Sequence, residues 1–150
     1  MIISGVLIWF VARDKKNISQ HKRKQNRWVV NCYLSICLSM LPATAFTFLT
    51  MKILGNSITD KHTWVYSLFF YSWLALSVFF VIRRSNFVTN KYTLLLGAIL
   101  ALLIPIADGY KTGSWLWETI QRGETAIFVV NFFWLLIGII ALWIFFKLKK

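Results

Sequence analysis

TAIFVVNFFWLLIGIIALWIFF, residues 125–146, contains no charged side chain. A helix rises about 1.5 Å per residue, so this stretch makes about 33 Å of helix, enough to cross a bilayer core about 30 Å thick. Reading outward, four more apolar segments appear, at about 1–12, 28–51, 63–82 and 92–107, separated by short polar stretches. The whole chain of 150 residues is 58% hydrophobic and 15% charged, against roughly 45–50% and about 25% for soluble domains. Two cysteines within an apolar run exclude a secreted disulfide scaffold, and 17% aromatic residues exclude disorder. The expected fold is an all-α integral membrane protein: one helical domain with four full transmembrane helices and a truncated first helix.

That first segment, Met1 to Ala12, is too short to span, since twelve residues give only about 18 Å of helix. It is no signal peptide, because its basic residues, Arg13, Lys15 and Lys16, follow the apolar stretch instead of preceding it. The expectation is that Met1 opens inside a helix whose outer half is missing, as in a fragment or a protein with a misassigned start. Segment four is somewhat short and is expected to use Tyr92 and Tyr110 as interfacial anchors.

The net charge of +12 is distributed unevenly. Arg13, Lys15, Lys16, Lys22, Arg23, Lys24 and Arg27 lie between segments one and two. Arg83, Arg84 and Lys91 lie between three and four, and Lys147, Lys149 and Lys150 follow five. The other side has Lys52, Lys61, Lys111 and Arg122, balanced by Asp60, Asp108, Glu118 and Glu124, while only Asp14 joins the larger group. The positive-inside rule then places the basic side, with the C-terminus, in the cytoplasm. The run His21–Arg27 reads as a topology determinant lying against anionic lipid, and no nucleic-acid partner is expected.

Small and polar residues in a spanning helix mark faces that touch other helices. Segment two has Asn31, Ser35 and Ser39 at i, i+4, i+8, with Pro42 expected to kink it. Segment four has Thr93, Gly97, Ala101 and Pro105, each four apart, with Gly97 and Ala101 forming a small-xxx-small contact. Segment five puts Asn131 and Gly138 two turns apart on one face. Segment three carries Tyr66, Ser67, Tyr71, Ser72, Trp73 and Ser77. Helix packing is the expected role of all of these. Cys32 and Cys37 point to different faces, so no shared metal site is expected. No ionisable residue stands in the middle of a segment, which argues against a stand-alone transporter. His21 and His62 belong to opposite membrane faces, so the chain alone cannot hold a haem between two imidazoles. His62 is the one candidate for a single ligand near the outer surface, against an ordinary helix-start residue.

The outer loop Asp108 to Glu124 is the most distinctive stretch. Gly109 and Gly113 permit tight turns. Ser114 is placed to cap a short interfacial helix over about 114–121, with Trp115, Leu116 and Trp117 in the interface and Glu118 in its first turn. Its functional reading is a lid or docking surface facing outward.

Two stretches carry a family resemblance. Ser4-Gly5-Val6-Leu7-Ile8-Trp9-Phe10, followed by Arg13 and the basic run, resembles the opening motif of the membrane half of PepSY-associated transmembrane proteins, iron-regulated proteins of the bacterial inner membrane. Leu103-Ile104-Pro105-Ile106-Ala107-Asp108, continuing to Thr112-Gly113 and Trp115-Leu116, resembles a turn late in that family. Phe69, Phe70 and Trp73 in segment three and the basic tail also fit. The resemblance covers nearly the whole chain, as the family's C-terminal half. Asp108 stands where the family usually has Asn, and the PepSY region with its preceding His-bearing helix is missing. The resemblance implies a role in iron uptake and one-electron reduction of ferric siderophores in the periplasm. Haem would then need residues outside this chain, because the family's ligand positions are not matched by histidines here. Asp108, Thr112, Gly113 and Trp115 are the outer-loop candidates, and no catalytic or metal-ligating residue is assigned. The alternative is a non-catalytic membrane subunit packing on a larger transporter or reductase through the Gly97/Ala101 face. A third idea is an envelope-stress sensor using the Trp115/Trp117 loop.

Overall fold

The computed structural model describes residue 8 and residues 19–147, apart from 56, 58, 84 and 114. The first apolar segment, except Ile8, and the expected cap Ser114 lie outside the described residues. The remainder is an all-α bundle: α1 Gln20–Leu38, α2 Met40–Leu54, α3 Lys61–Arg83, α4 Asn86–Thr112, α5 Leu116–Gln121 and α6 Thr125–Lys147. No strand occurs among the described residues. With α1 and α2 taken as one rod, four helices are long and apolar enough to cross a bilayer. This is the architecture of a multi-pass membrane protein.

Two segments are longer than the hydrophobic pattern suggests. The expected helix at 28–51 extends over Gln20–Leu54, 35 residues, because the basic run is itself helical. Lys, Arg and Gln are good helix formers, and nothing between Gln20 and Trp28 breaks the chain's path. The rod is interrupted once, at Ser39, a turn before Pro42. Proline has no N–H to offer the carbonyl four residues back. Bonds from Ser39 N–H to the Ser35 carbonyl (3.2 Å) and from Ala43 N–H to Ser39 (3.1 Å) carry the helix across the gap.

The expected helix at 92–107 is 27 residues long in the structure, Asn86–Thr112. It starts earlier because Ser85, in extended conformation, caps it by accepting from the Val88 N–H. It ends later because Pro105 is accommodated within it, and Gly113, at φ 67°, supplies the left-handed stop. Asp108 and Thr112 are therefore helical residues, not loop residues. The expected interfacial helix is the six-residue α5, which starts after Trp115 without a side-chain cap.

Helix α4 is central, packed by α2 on one side and α6 on the other, while α3 lies against α1 and α2. Ala45, Ala101, Ile104 and Trp134 form the core where α2, α4 and α6 meet, with Leu49, Leu100 and Ile137 around it. Phe48 tilts onto Trp134, with ring centroids 5.2 Å apart. Alanines let the backbones approach, so the larger Ile104 and Trp134 fill the remaining space.

Helix α3 is held differently. The Asn31 amide donates to the Val81 carbonyl (3.3 Å), Ser39 and Ser77 share a hydroxyl bond (2.7 Å), and the Trp73 indole donates to the Ile36 carbonyl (2.9 Å). Most of its large apolar side chains, among them Phe70, Leu74 and Phe79, face outward, as lipid permits. Trp73→Phe removes one of these three links and keeps a smaller aromatic ring in its place. It is expected to cost about 0.6–1.7 kcal/mol, the range for hydrogen bonds between membrane helices. The check is a lower thermal midpoint of the purified protein in detergent, and an unchanged midpoint would show that this bond does not hold α3.

Candidate functional site

One charged cluster is built into the apolar bundle. Asp108 is 2% exposed, one turn before the end of α4. Its Oδ1 accepts from the Lys52 ammonium on α2 at 2.6 Å, and its Oδ2 from the Asn131 amide on α6 at 2.7 Å. Lys52 is 28% exposed and Asn131 is 1% exposed. An unpaired carboxylate here would carry a desolvation penalty of several kcal/mol, and only a close counter-ion and a good donor offset it. Both conditions are met, so one carboxylate joins the three helices that also form the core. With one strong donor on each oxygen, the carboxylate acts as a clamp between the helices.

The outer-loop candidates assemble around it. The Thr112 hydroxyl donates to the Asp108 carbonyl (2.7 Å), tightening the last turn of α4. The Gly113 N–H closes that turn on the Gly109 carbonyl (3.1 Å). Trp115 then folds back onto Gly109 so closely that a Cβ there would lie 2.8 Å from its ring. Trp115 stacks on Trp117, with centroids 5.2 Å apart and planes 8° from parallel. Glycine at 109 is thus a seat for an indole, and α5 packs over the start of α6. Thr119 is buried at the centre of α5, and its carbonyl accepts the Glu124 N–H (3.0 Å).

The small-residue positions are used within the chain. A Cβ on Gly97 would lie 2.9 Å from Leu41 of α2, and one on Gly138 would lie 2.7 Å from Leu102 and 3.3 Å from the Ala98 carbonyl of α4. Ala101 is fully buried in the core. The Gly97/Ala101 face, which the alternative reading gives to a partner subunit, is packed by this chain's own α2, as helix packing requires. Asn131 and Gly138 both face α4, and Asn131 combines packing with the hydrogen bond to Asp108.

His62 stands exposed in the first turn of α3, edge-on to Tyr66 at 4.6 Å between ring centroids. His21 opens α1 at the other end of the bundle, because α1 and α3 run antiparallel, with Asn31 beside Val81. The described histidines therefore do not fit a bis-imidazole haem. Among the described residues, no three His, Cys, Asp or Glu side chains converge as a metal site would require. Cys32 and Cys37 are free thiols.

Two features are not legible in the sequence. Hydropathy ends the segments before Lys52 and Asp108, so nothing in it points to a pair. The available signal is a pair of opposite charges, each one residue beyond the end of a segment on the same side, plus an in-helix Asn131. The second is Asp60, three residues before Thr63, whose N–H it accepts at 3.4 Å to cap α3. Hydrogen bonds from Thr63 hold the Asp60 carboxyl below its usual range. Its contribution is present above the ordinary carboxylate pKa and is lost as pH falls through the depressed value.

At the basic end, cations rest on rings: Lys91 over Phe87 and Phe145, Lys147 over Trp143, and Arg83 over Phe79. Such pairs suit the interface, where an aromatic body and a charged head meet.

No family model matches the chain, and neither a curated protein nor a solved structure matches it either.

Proposed function

We propose that the chain is the membrane portion of a PepSY-type iron-uptake protein in the bacterial inner membrane. Its basic end and C-terminus face the cytoplasm, and its Trp115 end faces the periplasm. In this reading the helices scaffold periplasmic reduction of ferric siderophores at a redox site supplied by residues outside the chain. The observation that carries it is that the second stretch quoted for the resemblance, from Leu103 to Leu116, folds into one unit among the described residues. Pro105 lies within α4, Asp108 clamps it, Gly113 stops it and Trp115 packs back on Gly109. The test uses membranes from cells with and without the gene, assayed for ferric-chelate reduction and for haem absorbance in the purified intact protein. Loss of reduction on deletion, with haem in the intact protein, is the expected result. Unchanged reduction and no haem would contradict it.

A second reading, a non-catalytic subunit of a larger membrane complex, draws on a specific observation. The polar side chains that link the helices (Lys52, Asp108 and Asn131, and Ser39 with Ser77) are engaged with one another. A partner would then meet the outward face of α3. Co-purification of a second membrane subunit, lost when Phe70 and Leu74 are changed to Ala, would favour this reading over the first.

A further inference from the structure

We infer that the apolar residues 1–12 of this chain lie as a half-length helix over the groove between α1 and α3. The groove is a recess of about 390 Å³, with Ile36 of α1 on one wall and Phe70, Leu74, Val78 and Ile82 of α3 along the other. These four α3 residues recur every four positions and are each at least 50% exposed. Only 11% of the α3 span is buried, against 22% for α6 and 44% for α4. Helices associate in lipid where their side chains interlock, and a recess between two helices offers a third that fit.

Length and depth name the occupant. Residues 70–82 cover about 18 Å along α3, and residues 1–12 make about 18 Å of helix. The groove starts beside Arg83, at the basic end of the bundle, and stops near the middle of α3. The apolar segment ends at that same basic level, because Arg13, Lys15 and Lys16 follow it. Its connection to α1 reaches. Gln20 lies about 16 Å along α1 from Asn31, which is level with Val81, while residues 13–19 extend to about 23 Å. So short a tether presents the segment at roughly millimolar effective concentration, ahead of a separate chain. In this seat Ile8, which is helical and 68% exposed, faces lipid. Val6 and Phe10, each about 200° from it, face the groove. The seat does not depend on where the chain begins. It rests on neither functional reading and competes with the partner that the second reading places on Phe70 and Leu74.

The test is oxidative disulfide cross-linking of the full chain in its membrane, with Cys32 and Cys37 replaced by Ser. Two pairs lie at similar depth, Val6→Cys with Val78→Cys and Phe10→Cys with Ile82→Cys. Both are expected to link within one chain, seen as a shifted monomer band on a non-reducing gel and as joined peptides by mass spectrometry. Val6→Cys with Phe79→Cys is the control, since Phe79 is also exposed but turned about 100° from Val78. This pair should lose the link. The Phe10 and Ile82 pair sits near the membrane surface and keeps the test open if the deeper pair inserts poorly. Links found only in a dimer band would overturn the proposal in favour of a second copy. Equal linking to Val78→Cys and Phe79→Cys, or no link in either pair, would overturn the seat itself.

Discussion

Asp108→Ala is expected to destabilise the bundle by about 3 kcal/mol, the lower end of the range for breaking a buried ion pair. The substitution strands the Lys52 ammonium, which now lies 2.6 Å from a carboxylate, and leaves the buried Asn131 amide without its acceptor. Lys52 is 28% exposed and can turn toward interfacial water, which keeps the cost from the upper end. Asp108→Asn preserves an acceptor for one neighbour while removing the counter-charge, so a smaller loss is expected. The double variant Lys52→Met with Asp108→Leu should recover most of the stability, since apolar replacement of a whole buried pair is often neutral or better. The midpoints of denaturant unfolding in mild detergent report all three. An Asp108→Ala protein as stable as the parent would show that the pair holds nothing together.

Substitution at Gly138 is the second large effect. An alanine there would place its Cβ 2.7 Å from Leu102 and 3.3 Å from the Ala98 carbonyl, and a backbone atom cannot rotate away. Overpacking of this kind costs about 1–3 kcal/mol, and Gly138→Leu should separate α6 from α4 altogether. Gly97→Ala meets the side chain of Leu41 at 2.9 Å, with the nearest backbone atom, Pro42 N, at 3.6 Å. A Leu rotamer change absorbs that contact, and alanine gains up to about 1 kcal/mol in helix propensity. Gly97→Ala is therefore expected to be close to neutral. The order of thermal midpoints, parent near Gly97→Ala and both above Gly138→Ala, checks the geometry. The reverse order would mean that α4 sits closer to α2 than to α6.

The number of spans was readable because bilayer thickness imposes a length on apolar runs, and the run 125–146 satisfies it without ambiguity. The polar stripe Asn31, Ser35, Ser39 was readable for the same reason: in lipid, a polar side chain must face a helix, and all three are buried. Helix ends were less legible. Hydrophobicity stops where the core stops, but a helix continues until its hydrogen bonds are broken, so residues 20–27 and 108–112 read as loops by hydropathy although both are helical. The clamp is hidden for the same reason. A charge counted as loop charge has no reason to be paired, and residues 56 positions apart in sequence carry no mutual periodicity. The Gly97/Ala101 stripe shows a different limit. Spacing reveals that a face permits close approach, and only the fold shows that the approaching helix is α2 of the same chain.

Three crossings separate Gln25, exposed on the basic stretch of α1, from Tyr110, 88% exposed at the α5 end. Single cysteines at these two positions, in a background with Cys32 and Cys37 replaced by Ser, test the four-span arrangement most directly. Under the proposed orientation in a bacterial inner membrane, intact cells with permeable outer membranes are treated with a membrane-impermeant maleimide. Tyr110→Cys is expected to label at once, and Gln25→Cys only after the inner membrane is opened. Equal labelling of both in intact cells, or the opposite pattern, would contradict a four-span bundle with its basic end inside.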